Sequence, residues 1–177
     1  SVTNMGSMFM DSDCLVDISQ WTTRSLTHTT SMFLRSKTLH VDLSNWDVSR
    51  VVDASRMFMG AACAGGDLSR WDVGSLRDAS SMFEDSPFHG HVGWWRPAQL
   101  RCANRMFCST SFDGNLSHWS LPLLQEANAM FGSTPFAAQG LYESNRTLHL
   151  PPHTPATLLM ELGMNAVQAR QWLVATQ

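Results

Sequence analysis

A chain of 177 residues with 15% charged side chains and a formal charge of −3 lacks the basic footprint that nucleic acid or an anionic membrane surface selects. Its apolar runs all fall short of the roughly 18 residues a membrane-crossing helix requires. The length suits one domain with a substantial buried core.

The first nine residues, Ser-Val-Thr-Asn-Met-Gly-Ser-Met-Phe, already read as the second half of a repeat. With no initiator methionine, signal peptide or transit segment in view, the expectation is a processed or incomplete chain whose first rung is bare. The Met-Phe pair then recurs at Met8, Met32, Met57, Met82, Met106 and Met130, in steps of 24 or 25 residues, and a tryptophan keeps the same period at Trp21, Trp46, Trp71, Trp95 and Trp119. A period in the twenties means stacked repeats. Six residues before each Met sits an aliphatic (Val2, Leu26, Val51, Leu76, Leu100, Leu124), and three before it a small residue such as Ala54 or Ala79. That spacing predicts a two-turn helical stripe. Four residues before each Trp comes Asp17, Asp42, Asp67, His91 or Asn115, followed by an aliphatic; this short segment predicts a strand entering a turn. The fold expected is therefore an α/β solenoid of about five rungs over residues 1–136, each a short parallel strand plus a short helix. The one-residue slack in the period falls between Phe33 and Asp42 and between Phe58 and Asp67, where a return loop tolerates insertion.

Beyond Phe136 the period stops. Residues 137–153 read as a linker, and 154–177 as a helical hairpin, with Thr154 as N-cap, Pro155 opening the first helix, Gly163 ending it and Asn165 capping a second. Two roles fit its apolar residues. They can cap the last rung, as repeat arrays require, or Met160, Met164 and Trp172 can dock in a partner's groove. The four cysteines read as free thiols. Cys14 and Cys63, two rungs apart at about 4.8 Å per rung, exceed the roughly 7 Å reach of a disulfide, and Cys102 and Cys108 point in different directions. Unpaired thiols lean toward an intracellular or organellar setting over the cell surface. The sequons at Asn115 and Asn145 would matter only in a secretory protein.

Asp42-Leu43-Ser44-Asn45-Trp46-Asp47-Val48, followed by Met57-Phe58, resembles the bacterial surface-protein repeat (BspA-like), also found in mycoplasma lipoproteins and related to leucine-rich repeats. The resemblance covers residues 1–136. His91-Val92-Gly93-Trp94-Trp95 with Pro97 departs from it, and Asn115-Leu116-Ser117-His118-Trp119 lacks the following Asp. It implies adhesion or protein binding, and no catalytic residues.

Candidate chemistry is sparse. His89 and His91 could share a strand face and grip a metal, but the repeat supplies no third ligand, so His91 reads as another polar residue in the Asp column. The Asp17, Asp42 and Asp67 column offers too few oxygens for calcium; each carboxylate is expected to accept turn amides instead. The Met stripe reads as core filler. No cofactor and no metal is assigned, and an enzyme is not expected. The residue before each framework Trp changes chemistry at every rung (Gln20, Asn45, Arg70, Trp94, His118) while its neighbours hold, as an exposed column should. Asn45, Arg70, Trp94 and His118, with Met160, Met164 and Trp172, are the expected contacts to a protein partner. Trp94 filling a gap beside Gly93 and Pro97 is the competing account. The function expected is a non-enzymatic protein-interaction module, an accessory subunit of a multi-subunit assembly, with a secreted or surface adhesin as the alternative and a metal-dependent enzyme built on His89 and His91 as a remote one.

Overall fold

The computed structural model describes residues 1–13, 16–37, 42–62, 66–116, 118–139, 150 and 154–162. Successive repeats lie on one another as coils, joined by isolated parallel bridges from Asn4 to His28, His28 to Asp53, Asp53 to Asp78, Asp78 to Cys102 and Cys102 to Glu126. The elements expected within each coil are absent. Among the described residues, regular helix is confined to α1 (Pro135–Gln139) and α2 (Ala156–Glu161), and pairing between coils never extends beyond single bridges into a sheet. An α/β solenoid of strand-plus-helix rungs is therefore not what this chain forms. Asp42–Trp46, expected to be a strand, is a turn, and the bridges fall at the Asp53 column instead.

The missing helix has a local cause. In Val51–Ala61 the amides of Met57, Met59 and Ala61 donate to the carbonyls of Ala54, Arg56 and Phe58 at 3.2, 3.2 and 3.0 Å, giving three overlapping four-residue turns. The intervening amides of Ala54, Arg56, Phe58 and Gly60 donate across to Asp78, Ser80, Met82 and Glu84 at 2.8–3.0 Å. Half the donors a helix would use are thus committed between coils. Arg56 and Gly60, third residues of two of the turns, have φ of +55° and +61°, which ends any helix and is what a type II turn demands at that place. The same reversal recurs at Ser7, Ser31, Ser81, Arg105 and Ala129. A train of such turns buries every third residue much as a short helix does, so Val51, Ala54, Met57 and Phe58 still face the core.

The remaining corners are Asx turns built from one repeated triplet. Asp42-Leu43-Ser44, Asp47-Val48-Ser49 and Asp53-Ala54-Ser55 each place a carboxylate on the amide two residues on, at 2.9, 3.1 and 2.9 Å, with the middle residue buried. Asp67, Asp72 and Asp78 repeat the arrangement on Ser69, Gly74 and Ser80. The carboxylates accept turn amides, as expected of them.

Files of like side chains fill the interior. Phe9, Phe33, Phe58, Phe83, Phe107 and Phe131 stack with centroids 5.5–5.7 Å apart, an offset geometry that adds about 0.5–1.5 kcal/mol per pair beyond area burial. Beside them the indole N–H groups of Trp46, Trp71, Trp95 and Trp119 donate to the carbonyls of Ile18, Leu43, Leu68 and Val92 at 2.8–3.0 Å. Each framework Trp therefore hooks its corner onto the preceding one. Phe88, Phe112 and Phe136 add a second file in the later coils, packing on Phe83, Phe107 and Phe131 at 3.9–4.5 Å.

At one end Val2, Met8, Met10 and Val16 are exposed, although later members of the Met8 column are buried. At the other, α2 lies on the last Met-Phe segment: Leu158, Leu159 and Leu162 are buried, and the Ala129 amide donates to the Glu161 carbonyl at 3.1 Å. Its N-cap position is held by Pro155 without a side-chain bond, one residue later than expected. Thr134-Pro135 is where Thr does cap, its Oγ1 accepting the Ala137 amide at 3.1 Å, and this opens α1, which straddles the expected boundary between repeat and linker at residue 136. The expected second helix, with Met164 and Trp172, lies outside the described residues, as do Cys14 and Cys63. Cys102 and Cys108 are free thiols.

Candidate functional site

The column preceding the framework tryptophans is exposed at every described corner: Gln20, Asn45, Arg70, Trp94 and His118 all face out. The reason is the hook. With Trp46, Trp71, Trp95 and Trp119 turned inward to reach a carbonyl of the preceding corner, the residue before each is left outside. The contrast is greatest in the neighbouring pair, where Trp94 is 69% exposed and Trp95 1%.

Trp94 and His118 are brought together, with ring centroids 4.8 Å apart at 32°. Beside them a cavity of about 180 Å³ is lined by His91, Gly93, Trp94, Asn115 and His118. Arg70 sits one corner away, next to Trp71, whose ring stacks on Trp95 at 6.3 Å. Asn45 lies a further corner back, and the exposed Met160 is on α2.

The groove exists because the His91 corner departs from its neighbours on the outside only. Inside, the Trp95 amide still closes the turn on Val92 at 3.0 Å, and the Trp95 indole still reaches Leu68 at 2.8 Å. Outside, His91, Gly93 and Trp94 replace the Asp67, Ser69 and Arg70 of the preceding corner. Gly93 is required, since a Cβ there would meet the Asn115 carbonyl oxygen at 2.8 Å. Arg96 fixes the corner from the far side, donating to the carbonyls of Trp94 and Trp95 at 3.2 Å each. His91, Gly93 and Asn115 were not marked as contact residues in the sequence. The joint loss of Asp and Ser from one corner was the available signal.

Electrostatics divide the corners in the same way. The Asp67 carboxyl is held below its ordinary range by the Ser69 amide and then the Ser69 hydroxyl, with Arg70 and His91 adding to the effect. Asp17 and Asp42 are lowered likewise by Ser19 and Ser44. Elsewhere Glu84 is buried and its burial pushes its carboxyl up, yet donation from Arg105 and Ser81 outweighs this and the net shift is downward. The Arg105 Nε lies 2.6 Å from the Glu84 carboxylate, tying one Met-Phe segment to the next. The His89 Nδ1 lies 3.0 Å from the Pro87 carbonyl oxygen. Among the described residues no group of three or more His, Cys, Asp or Glu side chains converges as metal ligands would, and no helix is long and apolar enough to cross a membrane.

Comparison with known proteins is consistent with the repeat. The chain matches a family described as a Mycoplasma protein of unknown function, DUF285, over residues 1–90 and 65–143. No curated protein and no solved structure matches it. With most of its length spanned by those two segments, the chain belongs to the DUF285 family.

Proposed function

We propose that this chain is a non-enzymatic protein-interaction module, an accessory subunit of a larger assembly, whose contact surface is the exposed column at Asn45, Arg70, Trp94 and His118. The observation that carries the reading is Trp94, 69% exposed beside a Trp that is 1% exposed. The fold makes no use of it: the hook, the turn and the aromatic files are complete without that ring. Large exposed aromatics next to arginine are typical anchors of protein interfaces. Met160, 56% exposed on α2, supplies a second apolar contact.

Site-specific photocrosslinking in the cell of origin tests this. A photoreactive residue in place of Arg70 or His118 should give discrete adducts with one protein, whereas the same residue at the exposed Asp85 should not. Adducts equally frequent at Asp85, or none from the column, would rule the surface out. The alternative, an adhesin, uses the same column, and the identity of the captured protein separates the two.

A further inference from the structure

We propose that the groove between the His91 and Asn115 corners is a saccharide subsite, taking one neutral pyranose ring on the exposed face of Trp94. It rests on the reading that this surface binds something, and adds what chemistry it recognises. Size comes first. About 180 Å³ is well below the roughly 300–1,000 Å³ of a drug-sized site, a size that suits a single small ring.

The lining then selects the class. Besides the Gly93 backbone it consists of an indole, two imidazoles and a carboxamide, with no carboxylate and no Lys or Arg. The permanent charges beyond this lining, Asp67 by His91 and Arg96 on the Trp94 carbonyl, are of opposite sign and favour neither ion, so a neutral ligand fits better. A flat apolar ring is also disfavoured, because His91, Asn115 and His118 present polar edges that such a ring would desolvate without replacing their bonds. A pyranose has both halves of what is needed. Its hydroxyls can exchange hydrogen bonds with imidazole and amide edges, while its C–H face meets the negative face of the indole. His118, 4.8 Å from Trp94, steadies the ring and reduces the entropy lost when a ligand lands on it. Gly93 completes the site by removing the serine side chain that stands at the equivalent place in the Asp42 and Asp67 corners.

Saturation-transfer NMR on the full chain, with the methyl glycosides of glucose, galactose, mannose and N-acetylglucosamine as probes at millimolar concentration, decides it. At least one should receive saturation on its ring protons, and Trp94→Ala should weaken that binding tenfold or more. Because Trp94 is exposed, this variant keeps the fold, which the amide spectrum verifies. No transfer to any of the four, or transfer unchanged in Trp94→Ala, overturns the proposal. A chain that crosslinks a protein through Arg70 yet gives no transfer loses the saccharide subsite and keeps the interaction surface; transfer without crosslinks does the reverse.

Discussion

The corner at Asp67 and the corner at His91 are one structure with two exteriors. Both close on a buried aliphatic, at 3.1 Å for Trp71 to Leu68 and 3.0 Å for Trp95 to Val92, and both hook a Trp onto the preceding corner, at 2.9 and 2.8 Å. Only the first has an Asx carboxylate and a serine; only the second has an exposed indole and a groove. The inward residues therefore suffice to define the coil, and the outward ones can be exchanged together for another purpose. Buried and exposed positions sit side by side in the same short turn.

The sharpest way to break that separation is to remove the two adjacent tryptophans in turn. Trp95→Ala deletes a fully buried indole and takes one of two donors from the Leu68 carbonyl, which keeps the Trp71 amide, and should cost about 3–5 kcal/mol. Trp94→Ala removes an exposed ring and should change stability by no more than about 0.5 kcal/mol. Urea denaturation of both variants checks this. Comparable losses would show that Trp94 is part of the fold, and the contact surface would go with it.

Much of this arrangement is legible in the sequence. The Phe and Trp files follow from a fixed period, because stacking requires like residues to fall in register. The exposed column followed from its changing chemistry between constant neighbours. The elements did not follow, for a physical reason: Val51, Ala54 and Met57 have the three-residue spacing of a helix, but overlapping turns give the same spacing. What separates the two is the left-handed residue at Arg56, and nothing in the identity of Arg56, Arg105 or Ala129 announces a positive φ as glycine would. The triplets Asp42-Leu43-Ser44, Asp47-Val48-Ser49 and Asp53-Ala54-Ser55 carry the sign of three Asx corners per coil, yet the turn amides expected from the sequence are those of the first triplet alone, and that segment is also expected to start as a strand. The groove was hidden for a different reason, since it depends on how close the Asn115 carbonyl approaches Gly93.

That approach gives the next test, intermediate in size. Gly93→Ser restores the residue of the Asp67 corner but places a Cβ 2.8 Å from the Asn115 carbonyl oxygen, and relieving the clash moves backbone held by the Trp119 hook. A cost of about 1–3 kcal/mol is expected, as for overpacking. The converse change, Ser69→Gly, loses a hydroxyl and adds chain entropy, at about 0.5–1 kcal/mol. Thermal denaturation should rank the two in that order. A neutral Gly93→Ser would mean that the corners are interchangeable and that the groove is not built into the coil.

The smallest effect is electrostatic, and it separates the corners by pH. The Asp67 carboxyl is lowered in the folded chain by the Ser69 amide first, then by its hydroxyl, Arg70 and His91. A carboxyl of lowered pKa binds its proton more weakly in the folded state than in the unfolded one. Its stabilising contribution is therefore complete above the unfolded value of about 3.9 and is lost as pH falls from there through the folded value. Asp67→Asn keeps an oxygen for the Ser69 amide but removes the titration. Its stability profile should match the parent at pH 3 more closely than at pH 6, with a shallower decline between. His91→Asn supplies the same neutral acceptor at the other corner, removes no carboxyl there and takes away only the smallest of the contributions that lower Asp67, so the slope below pH 4 should flatten far less than in Asp67→Asn. Urea midpoints measured from pH 3 to 6 would tell, and equal flattening by both substitutions would place the acid sensitivity elsewhere than in the Asx corners.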